Sequence, residues 1–392
     1  MADFAEFGSR NYAGRDRLAM SSKAPIRHVD GWLILPVMAL TAIGCIAIRS
    51  ASAALLAVQE LDPDYYLKRQ LIFFSLATIA FGVALLVDYR QLQPYAPMLY
   101  LALVFLLLLV LTPLGQTVKG AQRWIDLGIF QLQPAELMKI GYIVFLAAVL
   151  SRERRQEGPA AGFTPVVQAM VLAAIPALLI YVQPDLGSSL VMFAIAFAVL
   201  LIAGVPVRWM ALVVVGAIFA GTLALQLDVL QDYQVARLTS FMDSETDPQG
   251  PGFNLEQSKI AIGSGGITGK GWGEGSQTNL AYVPEQRTDF IFTAIGEEQG
   301  FLGGLLILGL FSVVLWRCIR TAMLSKDLFG ALVAGGVAAM FGFQLFVNIG
   351  MTIGIMPITG IPLPFVSYGG TSLITSFIGV GLVMNIHMRR FV

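Results

Sequence analysis

Residues 284–300 read PEQRTDFIFTAIGEEQG and lead directly into the apolar stretch FLGGLLILGLFSVVLW at residues 301–316. Asp289, Glu297 and Glu298 therefore stand at the entrance of a hydrophobic segment. Carboxylates are costly in such a position unless they are paired or take part in a function. The stretch predicts a membrane-spanning helix with polar residues at its start, and it makes Asp289 the first candidate for a functional group.

The composition of the whole chain is that of a polytopic helical membrane protein. The 392 residues are 56% hydrophobic and only 13% charged, and the mean hydropathy is +0.74. Several runs approach the ~20 apolar residues that cross about 30 Å of hydrocarbon. The runs do not alternate between apolar and polar residues, as the strands of a membrane β-barrel would. We predict an all-α fold.

The apolar runs divide the chain into about ten predicted transmembrane helices. They lie at residues 33–48, 71–87, 95–111, 137–150, 166–182, 188–204, 209–225, 290–316, 329–350 and 372–388. A large loop at residues 228–288 separates the seventh helix from the eighth. Residues 31–392 are predicted to form a single transmembrane domain, preceded by a polar tail at residues 1–30.

The basic residues orient these helices in the membrane. Arginine and lysine are concentrated in the N-terminal tail and in the short segment SRERR at residues 151–155. Short basic loops stay on the cytoplasmic side, so both termini are predicted to be cytoplasmic. The loops at residues 114–136, 228–288 and 351–371 then lie outside, and most of the informative polar residues lie with them.

Three classes of function are disfavoured by the composition. The formal net charge is zero, so no excess of positive charge indicates nucleic-acid binding. Cys45 and Cys318 lie far apart in or beside apolar runs, so no disulfide framework is implied. The only histidines, His28 and His387, are near the ends of the chain, which argues against a histidine base or a histidine metal cluster.

The loop after the third run carries Arg123 and Trp124, and the next run begins with Glu136 and Lys139. Glu136 and Lys139 are three residues apart and share a helix face. One interpretation is a local ion pair with an interfacial tryptophan anchor. The other is a cationic pocket for an anionic head group, because the planar fork of arginine suits phosphate oxygens.

The acidic residues at the other helix starts allow a structural and a functional interpretation. Asp185 precedes Leu-Gly-Ser-Ser and either caps the next helix or acts directly. Asp289 either caps the eighth helix or serves as a catalytic base. For Glu297 and Glu298 we expect pairing with buried basic groups such as Lys139.

The large loop contains GSGGITGKGWGEGS at residues 263–276. This resembles a phosphate-binding loop but departs from its template at Ser264 and Gly271. Tight turns that use positive φ are the better prediction. Residues 254–262 before it are predicted to form a short interfacial helix, so that the loop is structured.

The loop at residues 351–371 reads MTIGIMPITGIPLPFVSYGGT. It is largely apolar, but its prolines argue against a continuous helix. Non-helical apolar backbone at membrane depth is tolerated only where protein buries it or where it lines a cavity. We therefore predict a re-entrant segment that ends near Ser367, with a simple connecting loop as the alternative.

Four of these stretches together closely resemble the SEDS family of RodA, FtsW and SpoVE proteins. They are RWIDLGIFQLQPAELMKI, QPDLGSS, the segment from IGSGGITGKGWGEGS to EEQGFLGG, and GIMPITGIPLPFVSYGGTS. The similarity covers about residues 32–387. It implies a ten-span inverting peptidoglycan glycosyltransferase of the bacterial cytoplasmic membrane. Such an enzyme polymerises lipid II into β-1,4 glycan strands on the outer side and releases undecaprenyl pyrophosphate.

The resemblance also assigns roles to individual residues. The family's catalytic aspartate, in its TDFIF-type motif, corresponds to Asp289. Its substrate-binding polar residues correspond to Arg123, Trp124, Glu136, Lys139 and, in the proline-glycine loop, Ser367. The chain has Arg287 where relatives commonly have a histidine, which alters the local charge without removing the carboxylate.

The resemblance further implies partners and a cellular role. A class B penicillin-binding protein would crosslink the product, and other elongation-complex proteins would accompany it. The form GKGWGEGSQTNLAYVPEQRTDF is more similar to RodA, which favours cell elongation and rod-shape maintenance over an FtsW-like role in division. The resemblance implies no definite cofactor and leaves a divalent cation, Mg²⁺ or Mn²⁺, open.

Two other classes of function compete with the enzyme. A lipid II flippase would need polar residues spread through the bilayer midplane and usually internal repeats, whereas no repeat is obvious and the polar groups cluster towards one side. A non-enzymatic scaffold would explain a partner surface but not the charged residues at the outer helix ends.

Overall fold

The computed structural model describes residues 28–118, 120–128, 130–157, 162–226, 251–280, 282–283 and 285–390. The helices are α1 Gly31–Val58, α2 Tyr65–Leu86, α3 Tyr89–Val110, α4 Pro134–Glu157, α5 Thr164–Val182, α6 Leu186–Ile202, α7 Val207–Gln226, α8 Pro251–Ser264, α9 Ser276–Asn279, α10 Ile291–Met323, α11 Leu328–Ile353 and α12 Gly370–Arg389. The strands are β1 Gly115–Val118, β2 Ala121–Asp126 and β3 Gln131–Leu132. The predicted tail, as far as residue 27, and residues 227–250 of the large loop lie outside the described residues.

The all-α prediction is confirmed, and each of the ten predicted runs corresponds to one helix, with run ends that extend at most two residues beyond it. Eight helices of the described chain are long and apolar enough to cross a membrane. The other two apolar helices are shorter: α6 has 17 residues, and residues 207–219 form the apolar part of α7. The short helix predicted at residues 254–262 lies within α8.

Burial separates central helices from peripheral ones. The spanning windows of α4, α11 and α12 are 83%, 72% and 89% buried, whereas those of α2 and α3 are 22% and 28% buried. The peripheral α2 packs mainly against α12, and α3 packs mainly against α4. α2 and α3 therefore present most of their apolar surface outward, while α4, α11 and α12 form the protein core.

The loop at residues 114–136 folds into a small antiparallel sheet in the order β1-β2-β3. Gln116 pairs with Trp124, and Ile125 pairs with Leu132. The sequence did not predict this sheet, because the strands are short and their apolar residues do not alternate. Successive side chains on a strand point to opposite faces, so Arg123 and its neighbour Trp124 face different surroundings.

The segment between α11 and α12 enters the protein core. Leu363, Phe365 and Val366 are each at most 2% exposed, and the Phe365 ring lies 5.1 Å from that of Phe341. Gly44 of α1 makes room for it, since a Cβ there would lie 2.6 Å from the carbonyl oxygen of Val366. The prediction of a re-entrant segment is confirmed, and we refer to residues 354–369 by that name.

An exchange of backbone hydrogen bonds joins the glycine-rich loop to α10. Gly300 has φ 63° and ψ −158° inside the helix, which interrupts the helical ladder. The exchanged bonds run from Lys270 N to Glu297 O, Gly271 N to Glu298 O, Phe301 N to Gly266 O and Leu302 N to Ile267 O, at 2.9–3.1 Å. These are the groups that would pair with one another in an unbroken helix. The glycine-rich loop thus completes α10, and its glycines with positive φ confirm the tight turns.

Candidate active site

Asp289 lies in the turn that immediately precedes α10 and is half-buried. Its carboxylate faces the re-entrant segment, because a Cβ on Gly360 would lie 3.2 Å from Asp289 Oδ2. Gly360 has φ +75°, a conformation that favours glycine. The absence of a side chain at this position leaves the space beside the carboxylate open.

Three successive carbonyl groups of this turn accept hydrogen bonds from other elements of the protein. The bonds run from Tyr368 N to Arg287 O at 2.9 Å, from Ser367 Oγ to Thr288 O at 2.6 Å and from Asn348 Nδ2 to Asp289 O at 2.8 Å. The donors come from the re-entrant segment and from α11. Because the backbone is fixed at each of three consecutive residues, the position of the Asp289 carboxylate is set by tertiary contacts and not by the turn alone.

Two of these donors also order the re-entrant segment itself. Ser367 Oγ accepts a hydrogen bond from Leu363 N at 2.8 Å, and Asn348 Nδ2 donates a second bond to Ile361 O at 2.7 Å. The structure thus places Ser367 beside Asp289 with its hydroxyl bound to backbone. Asn348 was not predicted from the sequence, although an amide within the apolar run 329–350 indicates a buried hydrogen-bonding group.

Arg123 on β2 contacts the turn between α5 and α6. Its Nε donates to Gln183 O at 2.9 Å, and its Nη2 donates to Pro184 O. The arginine and Trp124 are both half-buried. Arg123 thus donates hydrogen bonds to carbonyl groups at the C-terminal end of α5, which lack helical partners.

The same turn packs against the re-entrant segment. Asp185 caps α6, with Oδ1 accepting from Ser188 N at 3.0 Å and Oδ2 from Ser188 Oγ at 2.9 Å, which confirms the capping interpretation. A Cβ on Gly187 would lie 2.8 Å from Thr359 O. Residues 359–361 therefore lie against both the segment at residues 183–187 that binds Arg123 and the Asp289 carboxylate.

Glu136 and Lys139 form a buried ion pair. Their side chains are 3% and 1% exposed, and Lys139 Nζ lies 2.5 Å from Glu136 Oε1. The local ion pair offered as one interpretation is present. Such a pair is stable only while both partners remain, since either charge alone would be left desolvated.

The expected pairing with a basic group is present for Glu297, but the partner is Lys270 and not Lys139. Glu297 bonds Lys270 Nζ at 2.7 Å and, through Oε2, the Thr278 N–H and hydroxyl at 2.8 and 2.7 Å. Glu298 accepts from the Ser50 hydroxyl of α1. The physical reason is the break at Gly300, which brings the glycine-rich loop onto Glu297 and satisfies it there.

A group of arginine and tyrosine side chains lies beside the Asp289 turn. The guanidinium of Arg287 is 4.2 Å from the centre of the Tyr66 ring on α2. The Tyr66 ring lies 5.1 Å from that of Tyr368, edge to face. Burial raises the pKa of Tyr368, so its phenol stays neutral at physiological pH. Arg69 lies over the neighbouring ring of Tyr65 at 5.1 Å.

Protein side chains alone do not assemble a metal site in the part of the chain that the structure describes. No three His, Cys, Asp or Glu residues converge there. The carboxylate of Glu136 is bound to Lys139, and that of Asp185 caps α6.

Comparisons with known proteins agree with this architecture. Residues 31–391 match the FtsW/RodA/SpoVE family, described as cell cycle proteins. The chain is 38% identical to the probable peptidoglycan glycosyltransferase FtsW of Trichlorobacter lovleyi, over 92% of this chain and 93% of that protein. It is also 38% identical to the peptidoglycan glycosyltransferase MrdB of Escherichia coli K12, over 93% and 94%.

A solved structure has the same fold. It belongs to a peptidoglycan synthase complex described as coordinating polymerization and crosslinking. The TM-score is 0.77 at 32% identity, covering 92% of this chain and 98% of that one. The likeness therefore extends over the ten apolar helices and the loops that surround Asp289.

Proposed function

The chain belongs to the FtsW/RodA/SpoVE (SEDS) family of multi-pass membrane peptidoglycan glycosyltransferases, and we propose that it polymerises lipid II with Asp289 as the catalytic base. The observation that carries the proposal is the fixed, half-buried carboxylate of Asp289. Its backbone is bound at three consecutive carbonyls, and its side chain faces a glycine.

The mechanism is a direct displacement. The donor sugar is α-linked to a lipid pyrophosphate and the product bond is β-1,4, so the anomeric centre inverts. Asp289 accepts the proton of the acceptor's 4-hydroxyl as that oxygen attacks. The bond from the anomeric carbon to the pyrophosphate breaks, and undecaprenyl pyrophosphate leaves with the bonding electron pair. A rigid carboxylate favours this step because no conformational entropy is lost in orienting it during the reaction.

The leaving pyrophosphate gains negative charge in the transition state. Cations near it therefore stabilise the transition state more than the bound substrate. Arg123 and Lys139 are the proposed groups, with Trp124 beside them and Glu136 orienting Lys139. Their nitrogens are bound to the carbonyls of residues 183–184 and to Glu136. The pyrophosphate of the substrate must therefore displace some of these hydrogen-bond partners in order to bind Arg123 and Lys139. Ser367 is buried and its hydroxyl is bound to Thr288 O and Leu363 N, so it is proposed to position Asp289, with the substrate-binding role implied by the resemblance as the alternative.

A divalent cation is compatible with this site if the substrate supplies most of its ligands. Mg²⁺ is usually held by one or two carboxylates together with substrate phosphates. The described carboxylates around the site are not arranged as a three-ligand cluster. The cation would neutralise charge on the pyrophosphate, and no step above depends on it.

The proposed setting is the bacterial cytoplasmic membrane, with both termini cytoplasmic and Asp289 on the outer side. The basic N-terminal tail and the segment at residues 151–155 support this orientation. The apolar faces of α2 and α3 are largely exposed. They suit the polyprenyl chains of the substrates, which remain in the bilayer while the sugars react at its surface.

We propose a class B penicillin-binding protein as partner and elongation as the cellular role, together with other elongation-complex proteins. A crosslinking activity accompanies polymerization in the complex that contains the structural relative. The elongation role rests on the motif GKGWGEGSQTNLAYVPEQRTDF, since the FtsW and MrdB relatives are equally identical to this chain. Deletion of the gene should produce spherical cells, whereas filaments would indicate division.

The catalytic assignment is tested with purified protein, its partner and lipid II. We expect Asp289→Asn to make no glycan polymer and to keep the thermal stability of the wild type. Glu274→Gln, which changes an exposed carboxylate of the glycine-rich loop, is the control and should polymerise normally. Polymer formed by Asp289→Asn at the wild-type rate would refute the role of Asp289. Transport of lipid II by wild type and Asp289→Asn in vesicles, without polymerisation by either, would favour a flippase.

A further inference from the structure

Four residues beside the catalytic turn have no role in the mechanism above. Tyr66 and Arg69 come from the start of α2, Arg287 from the turn and Tyr368 from the re-entrant segment, and we call them the arginine–tyrosine cluster. Arg287 lies 4.2 Å from the Tyr66 ring centre, and Tyr66 lies 5.1 Å from Tyr368. Arg69 lies 5.1 Å from the centre of the Tyr65 ring, which packs against Tyr66.

The charge of this cluster favours an anionic ligand. Arg287 and Arg69 lie over the rings of Tyr66 and Tyr65, which pack edge to face, so two positive charges border one group of rings. An anion bound beside them gains charge-assisted hydrogen bonds. Arg69 is exposed and Arg287 is half-buried, so both can be reached from the aqueous side. A guanidinium stacked on a ring uses its face for that contact, whereas phosphate oxygens bind to its N–H edge.

The proposed reaction requires more than one site for an anion. Each polymerisation step joins two lipid-linked saccharides, and each of these carries a pyrophosphate. Resting on the proposed function, we propose that the arginine–tyrosine cluster is a second pyrophosphate subsite, separate from the Arg123 and Lys139 group. The Tyr66 and Tyr368 rings would add flat apolar faces for the attached sugars.

The placement of the two cationic groups agrees with such a division. Arg287 is two residues before Asp289 in the same turn. Arg123 binds the turn at residues 183–184, and Gly187 just after that turn packs against Thr359. The two cationic groups therefore belong to different elements near Asp289, which suits two separate pyrophosphates.

Two substrate analogues distinguish which pyrophosphate is bound. A lipid-linked disaccharide with a blocked 4-hydroxyl can act only as donor. One with a phosphonate in place of the anomeric phosphate can act only as acceptor. We expect Arg287→Ala to raise KM about ten- to hundredfold for one analogue, the loss expected for hydrogen bonds to a charged group. The other KM and kcat should stay within about threefold.

Companion variants separate ligand binding from packing. Tyr66→Leu removes the ring that lies against Arg287 and should raise the same KM as Arg287→Ala. Arg287→Lys keeps the charge without the fork and should recover part of the affinity. Arg208→Ala is the matched control, because Arg208 also stacks on a ring, Trp209 at 5.3 Å, at a helix start assigned to the cytoplasmic side.

Equilibrium binding of the two analogues gives a readout that does not need turnover. Arg287→Ala should weaken binding of the same analogue whose KM rises. Unchanged binding of both, or an equal loss for both, would overturn the subsite, as would a fall in kcat alone. If Asp289→Asn abolishes coupling while Arg287→Ala binds both analogues normally, the proposed function stands and the second subsite is rejected.

Discussion

The side-chain amide of Asn348 donates hydrogen bonds to two backbone carbonyls, that of Asp289 at 2.8 Å and that of Ile361 at 2.7 Å. Asn348 is fully buried in α11, so its amide is shielded from water and donates to protein groups only. One amide thus fixes the distance between the catalytic turn and the re-entrant segment. A side chain that never meets substrate can therefore control where the Asp289 carboxylate stands.

Replacement of Asn348 by leucine should reduce activity and stability together. Two carbonyls, one in a buried bond and one in a part-buried bond, would each lose a donor, which costs about 1–3 kcal/mol apiece. We expect the free energy of unfolding to fall by about 2–4 kcal/mol. The resulting displacement of Asp289 should lower kcat by about ten- to hundredfold. Thermal unfolding in detergent and lipid II polymerisation measure the two effects.

Gln344 provides the control for this prediction, one helical turn earlier in α11. It is also buried, and its Oε1 lacks a hydrogen-bond partner within the described residues. Gln344→Leu should therefore change stability by no more than about 1 kcal/mol and leave kcat unchanged. Equal losses for both variants would mean that α11 tolerates no substitution, and the positioning role of Asn348 would be withdrawn.

Ser367→Ala distinguishes a positioning role from direct substrate binding. The hydroxyl donates to Thr288 O and accepts from Leu363 N, and the alanine variant loses both bonds. We expect kcat to fall about tenfold or more with KM unchanged, because the loss of a positioning contact misplaces Asp289 without removing a substrate contact. Steady-state kinetics with lipid II give this split.

The control is Ser376→Ala, which removes only a bond to Ser372 O inside α12. It should leave both kinetic constants near the wild-type values. A raised KM with normal kcat for Ser367→Ala would instead support the substrate-binding role predicted from the sequence.

The helical frame could be predicted because a bilayer imposes a simple requirement on sequence. Every spanning segment must be apolar and must satisfy its own backbone, so the ten runs were visible in composition alone. Asp185 could be assigned as a cap because capping is a local interaction. The apolar, proline-rich loop was predicted to be re-entrant for the same reason that the spans were, since exposed irregular backbone is excluded from lipid.

The remaining contacts depend on residues that are distant in sequence. The exchange of backbone hydrogen bonds around Gly300 requires a break in α10 and a non-helical conformation of the glycine-rich loop that fits this break. The bonds from Asn348 to Asp289 and Ile361 link three separate elements. Hydrophobic periodicity does not indicate such pairings. A basic partner for Glu297 could be expected, but its identity as Lys270 could not, because Lys270 lies in a loop.

The buried pair of Glu136 and Lys139 can be separated into stability and function by a double substitution. Glu136→Leu or Lys139→Met alone leaves an uncompensated buried charge, which costs about 3–5 kcal/mol. The double variant removes both charges and should recover most of that loss. We expect it to fold and yet to polymerise poorly, because the proposed cation near the leaving pyrophosphate is gone.

Thermal unfolding and polymerisation of the three variants test this prediction. Wild-type activity in the folded double variant would assign the pair to structure alone and remove Lys139 from the mechanism.

Gly300→Ala tests whether the break in α10 is required for the fold of the glycine-rich loop. Gly300 has φ +63°, and a Cβ there would lie 2.4 Å from Gly269 N. The strained backbone alone costs about 1–3 kcal/mol, and the clash would separate the loop from Glu297 and Glu298. Gly309→Ala in the same helix meets no atom within 4 Å and should be neutral or stabilising by up to about 1 kcal/mol.

Limited proteolysis within residues 251–283, compared with thermal unfolding, measures the outcome. We expect faster cleavage and lower stability only for Gly300→Ala. Because Glu297 lies two turns into the helix that Asp289 precedes, loss of the exchange should also reduce polymerisation. An unchanged cleavage rate would mean that α10 can become continuous without releasing the loop, and the loop would then be held by Glu297 and Lys270 alone.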